Sequence, residues 1–163
     1  GYTASLSSVS STDNEFRTTV TTDKVPTGGG QYISLMGRRV SSTLDYRAKV
    51  RFASTGAVAV WLTRNESATE TVLTSVTVPG LTFAAGDNMQ VKLQTYGTSP
   101  TYMQVKIWKV GTIEPTAWLL TSNDSTTALQ APGSIGLYAY LSGSTANGPV
   151  GYGVDDLWVG PRN

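Results

Sequence analysis

With 163 residues, no cysteine, no histidine and a formal net charge of +1, the chain has no disulfides or thiolate metal sites to hold it. It has no Ser-His-Asp or Cys-His chemistry and lacks the broad basic footprint of a nucleic-acid binder. Charged residues make up 14%, against about 25% in an average globular protein, so Ser, Thr, Asn, Gln and Gly must supply most of the polar surface. The length fits one domain, 1–163, able to bury roughly two thirds of its unfolded surface in a single core.

No apolar run approaches the roughly 18 residues that cross a bilayer. The chain opens at Gly1 without an initiator Met, and no basic-then-apolar leader precedes Tyr2. This reads as a processed product or a piece of something longer.

Taken in order, Tyr2 to Leu6 is a weak first strand in a Ser/Thr-rich start, and Glu15 to Thr22 follows with Phe16, Thr18 and Val20 on one side. Thr27 to Gly30 makes a flexible loop before a strand at Tyr32 to Val40. Four runs then alternate with period two, which predicts strands: Asp45 to Ser54, Ala57 to Arg64, Met89 to Tyr96 and Tyr102 to Val110. Ser54 to Gly56 and Gly97 to Pro100 are tight connections that pair these runs as hairpins. Between them, Glu70 to Val78 is a strand and Pro79 to Asp87 a loop. Gly111 to Pro115 is an excursion closed by Trp118 to Asn123. Ile135 to Tyr140 and Val150 to Val159 are the last strands, with Ser142 to Pro149 looping between them. About a dozen short strands with turn signals between them predict an all-β sandwich or barrel.

The four alternating runs put aliphatic residues on one side and aromatic, amide and basic residues on the other. A sheet built this way buries one face and offers the other to solvent or a ligand. Aromatic rings stack on the apolar side of a sugar while planar polar groups bond its hydroxyls. The polar side therefore supplies the candidate ligand residues Arg47, Lys49, Arg51, Trp61, Lys92, Gln94, Tyr96, Gln104, Lys106 and Trp108. The competing reading is that Trp61 and Trp108 pack under loops while the Lys and Arg only solvate an open sheet. Trp118 is expected in the core, and the direction of Tyr138 and Tyr140 stays open.

For a bound ion, Asp155, Asp156 and Asp13, with Asn14, would meet if the first and last strands pair, which makes calcium a possible cofactor. No acidic loop with alternating ligand spacing supports it. Asn65-Glu66-Ser67 and Asn123-Asp124-Ser125 match the glycosylation sequon, a weak signal in so Ser- and Thr-rich a chain.

The stretches GRRVSSTLDYRAKVRF, VKIWKVGTIEPTAWLL, APGSIGLYAYLSGSTANGPV and VDDLWV, together with GAVAVWLTR and ETVLTSVTVPGLTFAAGD, resemble a laminin-G-like module of the concanavalin A-like lectin/glucanase superfamily. The pattern is carried by Tyr46, Arg47, Ala48, Val50 and Arg51, by Trp108, Gly111, Glu114, Pro115 and Trp118, and by Pro132, Gly133, Gly136, Leu137 and Tyr140. It runs from about Asp13 to Val159. The resemblance implies a two-sheet antiparallel jelly-roll sandwich of the kind found in secreted actinobacterial proteins and in tail and surface proteins of actinobacteriophages. Such modules begin with an extra strand region, where this chain has only Gly1 to Thr12; the front edge is trimmed or supplied by another chain.

The glucanases of that superfamily carry an E-x-D-x-x-E strand, which is absent here. The adjacent Asp155 and Asp156 would point to opposite faces of a strand, so they do not form a catalytic pair. The expected role is a non-catalytic carbohydrate-binding or adhesive module on a secreted protein or virion surface, its partner a polysaccharide or cell-surface glycan, with no nucleic acid and no membrane insertion. The alternative is a structural virion component, in a phage tail or capsid surface, whose sheet faces and edges contact copies of itself or other subunits.

Overall fold

A computed structural model describes residues 1–67 and 69–162. Among them are eleven strands: β1 (Tyr2–Ser11), β2 (Asn14–Thr22), β3 (Gln31–Ser41), β4 (Leu44–Phe52), β5 (Ala57–Glu66), β6 (Thr69–Thr82), β7 (Met89–Tyr96), β8 (Thr101–Lys109), β9 (Leu120–Asp124), β10 (Gly133–Leu141) and β11 (Tyr152–Gly160). One 3-10 turn spans Thr127–Leu129. The strands form two antiparallel sheets, one of six in the order β1-β10-β3-β4-β5-β6 and one of five in the order β11-β2-β7-β8-β9. This is the all-β, two-sheet jelly-roll sandwich expected.

The sheets close on the aliphatic half of each alternation. Ile33, Leu35, Tyr46, Ala48, Val50, Phe52, Val58, Val60 and Leu62 come from the six-stranded sheet, and Phe16, Val20, Val91, Leu93, Met103, Val105 and Ile107 from the five-stranded sheet; all are buried in one cluster. Phe52 stacks on Phe83 at 3.9 Å between centroids, where the chain leaves β6 on its way to the opposite sheet. Both expected hairpins are present, with Phe52 opposite Val58 and Tyr96 opposite Tyr102.

Three details depart from the sequence reading. β1 runs on to Ser11 and is exposed along nearly all its length as an edge of the six-stranded sheet. β6 continues through Pro79 and Gly80, placed above in a loop; it is the other edge of its sheet, where a missing N–H breaks no ladder bond. The acids proposed for calcium do not converge, because β1 pairs with β10 while β11 pairs with β2. Asp155 lies opposite Thr19, six residues along β2 from Asp13, a separation of about 20 Å. Asp13 instead accepts from the Gly97 amide at 3.0 Å, and Asp156 from the Thr19 hydroxyl at 3.3 Å. No group of three or more carboxylates suited to a metal occurs among the described residues.

A bulge at Gly37 sets one end of the sandwich. The β3–β4 register shifts between Met36 and Arg38, and Arg38 comes opposite the inward-facing Tyr46. Its guanidinium is fully buried. It donates to the Thr12 and Gly97 carbonyls, to the Thr101 hydroxyl and, at 3.4 Å, to the Leu129 carbonyl. A buried charge is tolerable only when most of its donors are met, and here both Nη atoms find acceptors while Nε has none. One side chain thus ties the β1–β2 turn, the β7–β8 turn and the 3-10 turn together.

Candidate ligand face

The ten candidate residues do not share a face. β4 and β5 belong to the six-stranded sheet, whereas β7 and β8 belong to the five-stranded sheet. Arg47, Lys49, Arg51 and Trp61 therefore look out from one side of the sandwich, and Lys92, Gln94, Tyr96, Gln104, Lys106 and Trp108 from the other. Alternation fixes which side of its own strand a residue occupies. It is silent on which sheet the strand joins, and the chain changes sheets between β6 and β7.

On the six-stranded sheet, register builds the outer face in rows. Tyr140, Tyr32, Arg51 and Ala59 form one row across β10, β3, β4 and β5. Tyr138, Ser34, Lys49, Trp61 and Ser75 form the next. Tyr32 and Tyr140 stack with centroids 4.5 Å apart and planes within 6°, and Tyr138 leans on Tyr140 at 5.5 Å. The Tyr32 hydroxyl donates to the Gly29 carbonyl at 3.2 Å, and the Tyr32 amide donates to the Tyr152 hydroxyl at the same distance. These bonds pin the ring pair at one end of the sheet.

Cations stand among the rings. The Arg47 guanidinium lies 5.1 Å from the Tyr138 centroid, and the Lys49 ammonium 5.2 Å from that of Trp61. Arg47 grips Asp45 through Nε at 2.6 Å and Nη2 at 2.7 Å, a bidentate fork. Lys49 is bonded to Glu70. Burial, reinforced by Tyr32 and by the Glu70 charge, pushes the Tyr140 phenol up to about 12. The Glu70 carboxylate thus acts across strands on both Lys49 and Tyr140. We call this surface the tyrosine face.

The opposite surface, here the lysine face, is an interlocked polar ladder. Glu15, Gln94 and Gln104 lie in one row, and Trp158, Arg17, Lys92 and Lys106 in the next. Gln94 donates to Glu15 at 2.7 Å and accepts from Gln104 at 2.6 Å. Glu15 also pairs with Arg17 at 3.1 Å and Lys92 at 3.8 Å. Glu114, from the β8–β9 excursion, bridges Lys92 at 2.8 Å and Lys106 at 3.2 Å. Burial would raise its carboxyl, but the two lysines outweigh that and hold it below its ordinary value. Trp118, expected in the core, is half-buried here instead, with the Lys106 ammonium 4.8 Å from its ring. Tyr96 stacks on Tyr102 and carries Arg162 at 3.8 Å. Trp108 lines a hollow with Val78, Ile113 and Pro115.

Tyr32, Tyr138 and Tyr140 are the residues of the tyrosine face that sequence reasoning missed. The signal was present in Ile135, Leu137, Ala139 and Leu141, whose alternation sends the two intervening tyrosines outward.

No family model matches the chain, and no curated protein matches it by sequence. Solved structures do match by shape. Carbohydrate-binding module CBM66 from Bacillus subtilis superposes with a TM-score of 0.61 at 13% identity, over 93% of this chain and 77% of that one. The legume lectin-like domain from Entamoeba histolytica gives 0.57 at 12%, over 95% and 75%. Sheep galectin-11, solved with glycerol, gives 0.53 at 8%, over 93% and 96%. Identities this low establish shape alone. The chain carries the jelly-roll sandwich shared by these lectins and this carbohydrate-binding module.

Proposed function

We propose that this protein is a non-catalytic carbohydrate-binding module of a secreted or virion-surface protein, one domain of the laminin-G-like kind, and that the tyrosine face is its binding surface. The observation that carries this is the cluster of Tyr32, Tyr138, Tyr140 and Trp61, three tyrosines in ring contact and all four half-buried on one outer face, set among Arg47, Lys49 and Glu70. Sugar rings present a C–H face to aromatic carbons and hydroxyls to charged and amide groups, and this surface offers both. The fold neighbours support the same reading. Its two carboxylates, Asp45 and Glu70, are each held by a cation, an arrangement suited to orienting hydroxyls rather than to paired acid–base work.

A site open to solvent buries little area, so affinity per module is low and useful strength comes from several copies. Glycan-array screening followed by titration calorimetry tests the assignment. Trp61→Ala and Tyr140→Ala are each expected to weaken binding about tenfold while retaining the melting temperature to within a few degrees. Unchanged binding in both variants would remove the assignment.

A second reading, subunit contact in a virion, rests on β1, an exposed edge strand with one side unpaired. Light scattering separates the two readings: a stable oligomer favours contact, a glycan-binding monomer the module.

A further inference from the structure

We infer that the tyrosine face selects acidic polysaccharide, a chain of carboxylate-bearing sugars, and that Arg51 reads the carboxylate; this rests on the carbohydrate-binding reading above.

Four cations occupy this face, two of them neutralised: Arg47 by Asp45 and Lys49 by Glu70. Arg51 and Arg39 remain. Arg51 lies in the row of Tyr32 and Tyr140, and Arg39 opposite Asp45 towards the other end of β4. Neither side chain makes a hydrogen bond or ion pair among the described residues. Six residues of β4 separate the two rows, about 20 Å. Two unpaired guanidiniums at opposite ends of one aromatic surface match a ligand whose negative charges repeat along its length.

Exposure alone would leave an unpaired arginine to water, but Arg51 is not simply exposed. Its Nε is buried without a partner, pressed against Gly30, where a Cβ would stand 3.2 Å from that nitrogen and 2.5 Å from the Phe52 carbonyl oxygen. Gly30 has φ of +98°, so backbone conformation and space together reserve the position for glycine. On its other side Arg51 lies opposite Ala59, which offers it no polar partner. One row away, the Ser34 hydroxyl is fully buried on the same face, between Tyr138 and Lys49, with no partner. Buried polar atoms normally have partners. Here two unmet ones flank the Tyr32–Tyr140 stack. A sugar ring lying on that stack would bring a carboxylate to the outward Nη atoms of the Arg51 fork, while the buried Arg51 Nε and Ser34 hydroxyl stay beneath the contact surface. A planar guanidinium with parallel donors matches a planar carboxylate better than a point charge does.

Calorimetry of the intact chain with polygalacturonate oligomers, the same oligomers methyl-esterified, and dextran sulfate tests this. The expected result is at least tenfold tighter binding of the free acid than of the ester, a preference lost in Arg51→Gln and reduced in Arg51→Lys. Lys109→Gln removes the same charge near the opposite sheet, where Lys109 pairs with Asp87, and is expected to keep the preference. Melting curves confirm that each variant is folded. Equal binding of acid and ester overturns the inference while leaving carbohydrate binding standing, and so does a preference that survives Arg51→Gln. Dextran sulfate binding as tightly as the uronate overturns the carboxylate assignment. No binding to any glycan overturns both readings.

Discussion

The two outer faces of this sandwich are built from similar parts and end in opposite states. On the lysine face Glu15 meets Arg17, Lys92 and Gln94, Gln104 meets Gln94, and Glu114 meets both lysines. On the tyrosine face the rings occupy two neighbouring rows, and the guanidiniums of Arg51 and Arg39 have no carboxylate partner among the described residues. Basic and aromatic composition does not separate a ladder that stabilises the protein from a surface left for something else; the inventory of partners does.

The contrast can be broken in four ways. The largest effect belongs to the lysine face: Glu15 is 1% exposed, and Glu15→Ala would strip the ladder of its central acceptor. A loss of about 2–3 kcal/mol in denaturant unfolding is expected, with glycan binding retained. Next, Trp61→Ala should weaken binding about tenfold, or about 1.4 kcal/mol, read by calorimetry.

The third test uses pH. Glu114 sits below its ordinary value of 4.5, so its contribution is complete above that value and is lost as pH falls through the lower folded one. Glu114→Gln should flatten the acid limb of the stability profile. Tyr140 works in the other direction: its pKa is raised from 10.0 to about 12, so its contribution holds below pH 10 and fades as pH rises towards 12. Tyr140→Phe should flatten the alkaline limb. The smallest effect is Trp108→Ala on the lysine face, where binding should change less than twofold; a loss matching that of Trp61→Ala would reverse the assignment of the faces.

Much of this was legible in the chain. The alternation in DYRAKVRF and YMQVKIW placed each inward and outward side correctly, because burial of one face enforces a period of two. What escaped was membership. Gln94 and Trp61 obey the same rule within their strands, and only the crossing between β6 and β7 puts them on opposite sides. Arg38 escaped for a different reason. In GRRV nothing distinguishes Arg38 from Arg39, yet the bulge at Gly37 turns the first into the interior and leaves the second beside Asp45. Tyr138 and Tyr140 stayed open because tyrosine is at home on either side of a sheet, and their direction rests on the smaller neighbours between them.

Strand order also governs when this molecule can take shape. Tyr2 pairs in register with Ala139, and Glu15 with Gly160, so each layer waits for a ribbon made more than a hundred residues later. Nascent chains stopped before β10 would hold ready-made hairpins but no finished layer. Acquisition of structure should therefore be slow, late and cooperative, as non-local pairing demands.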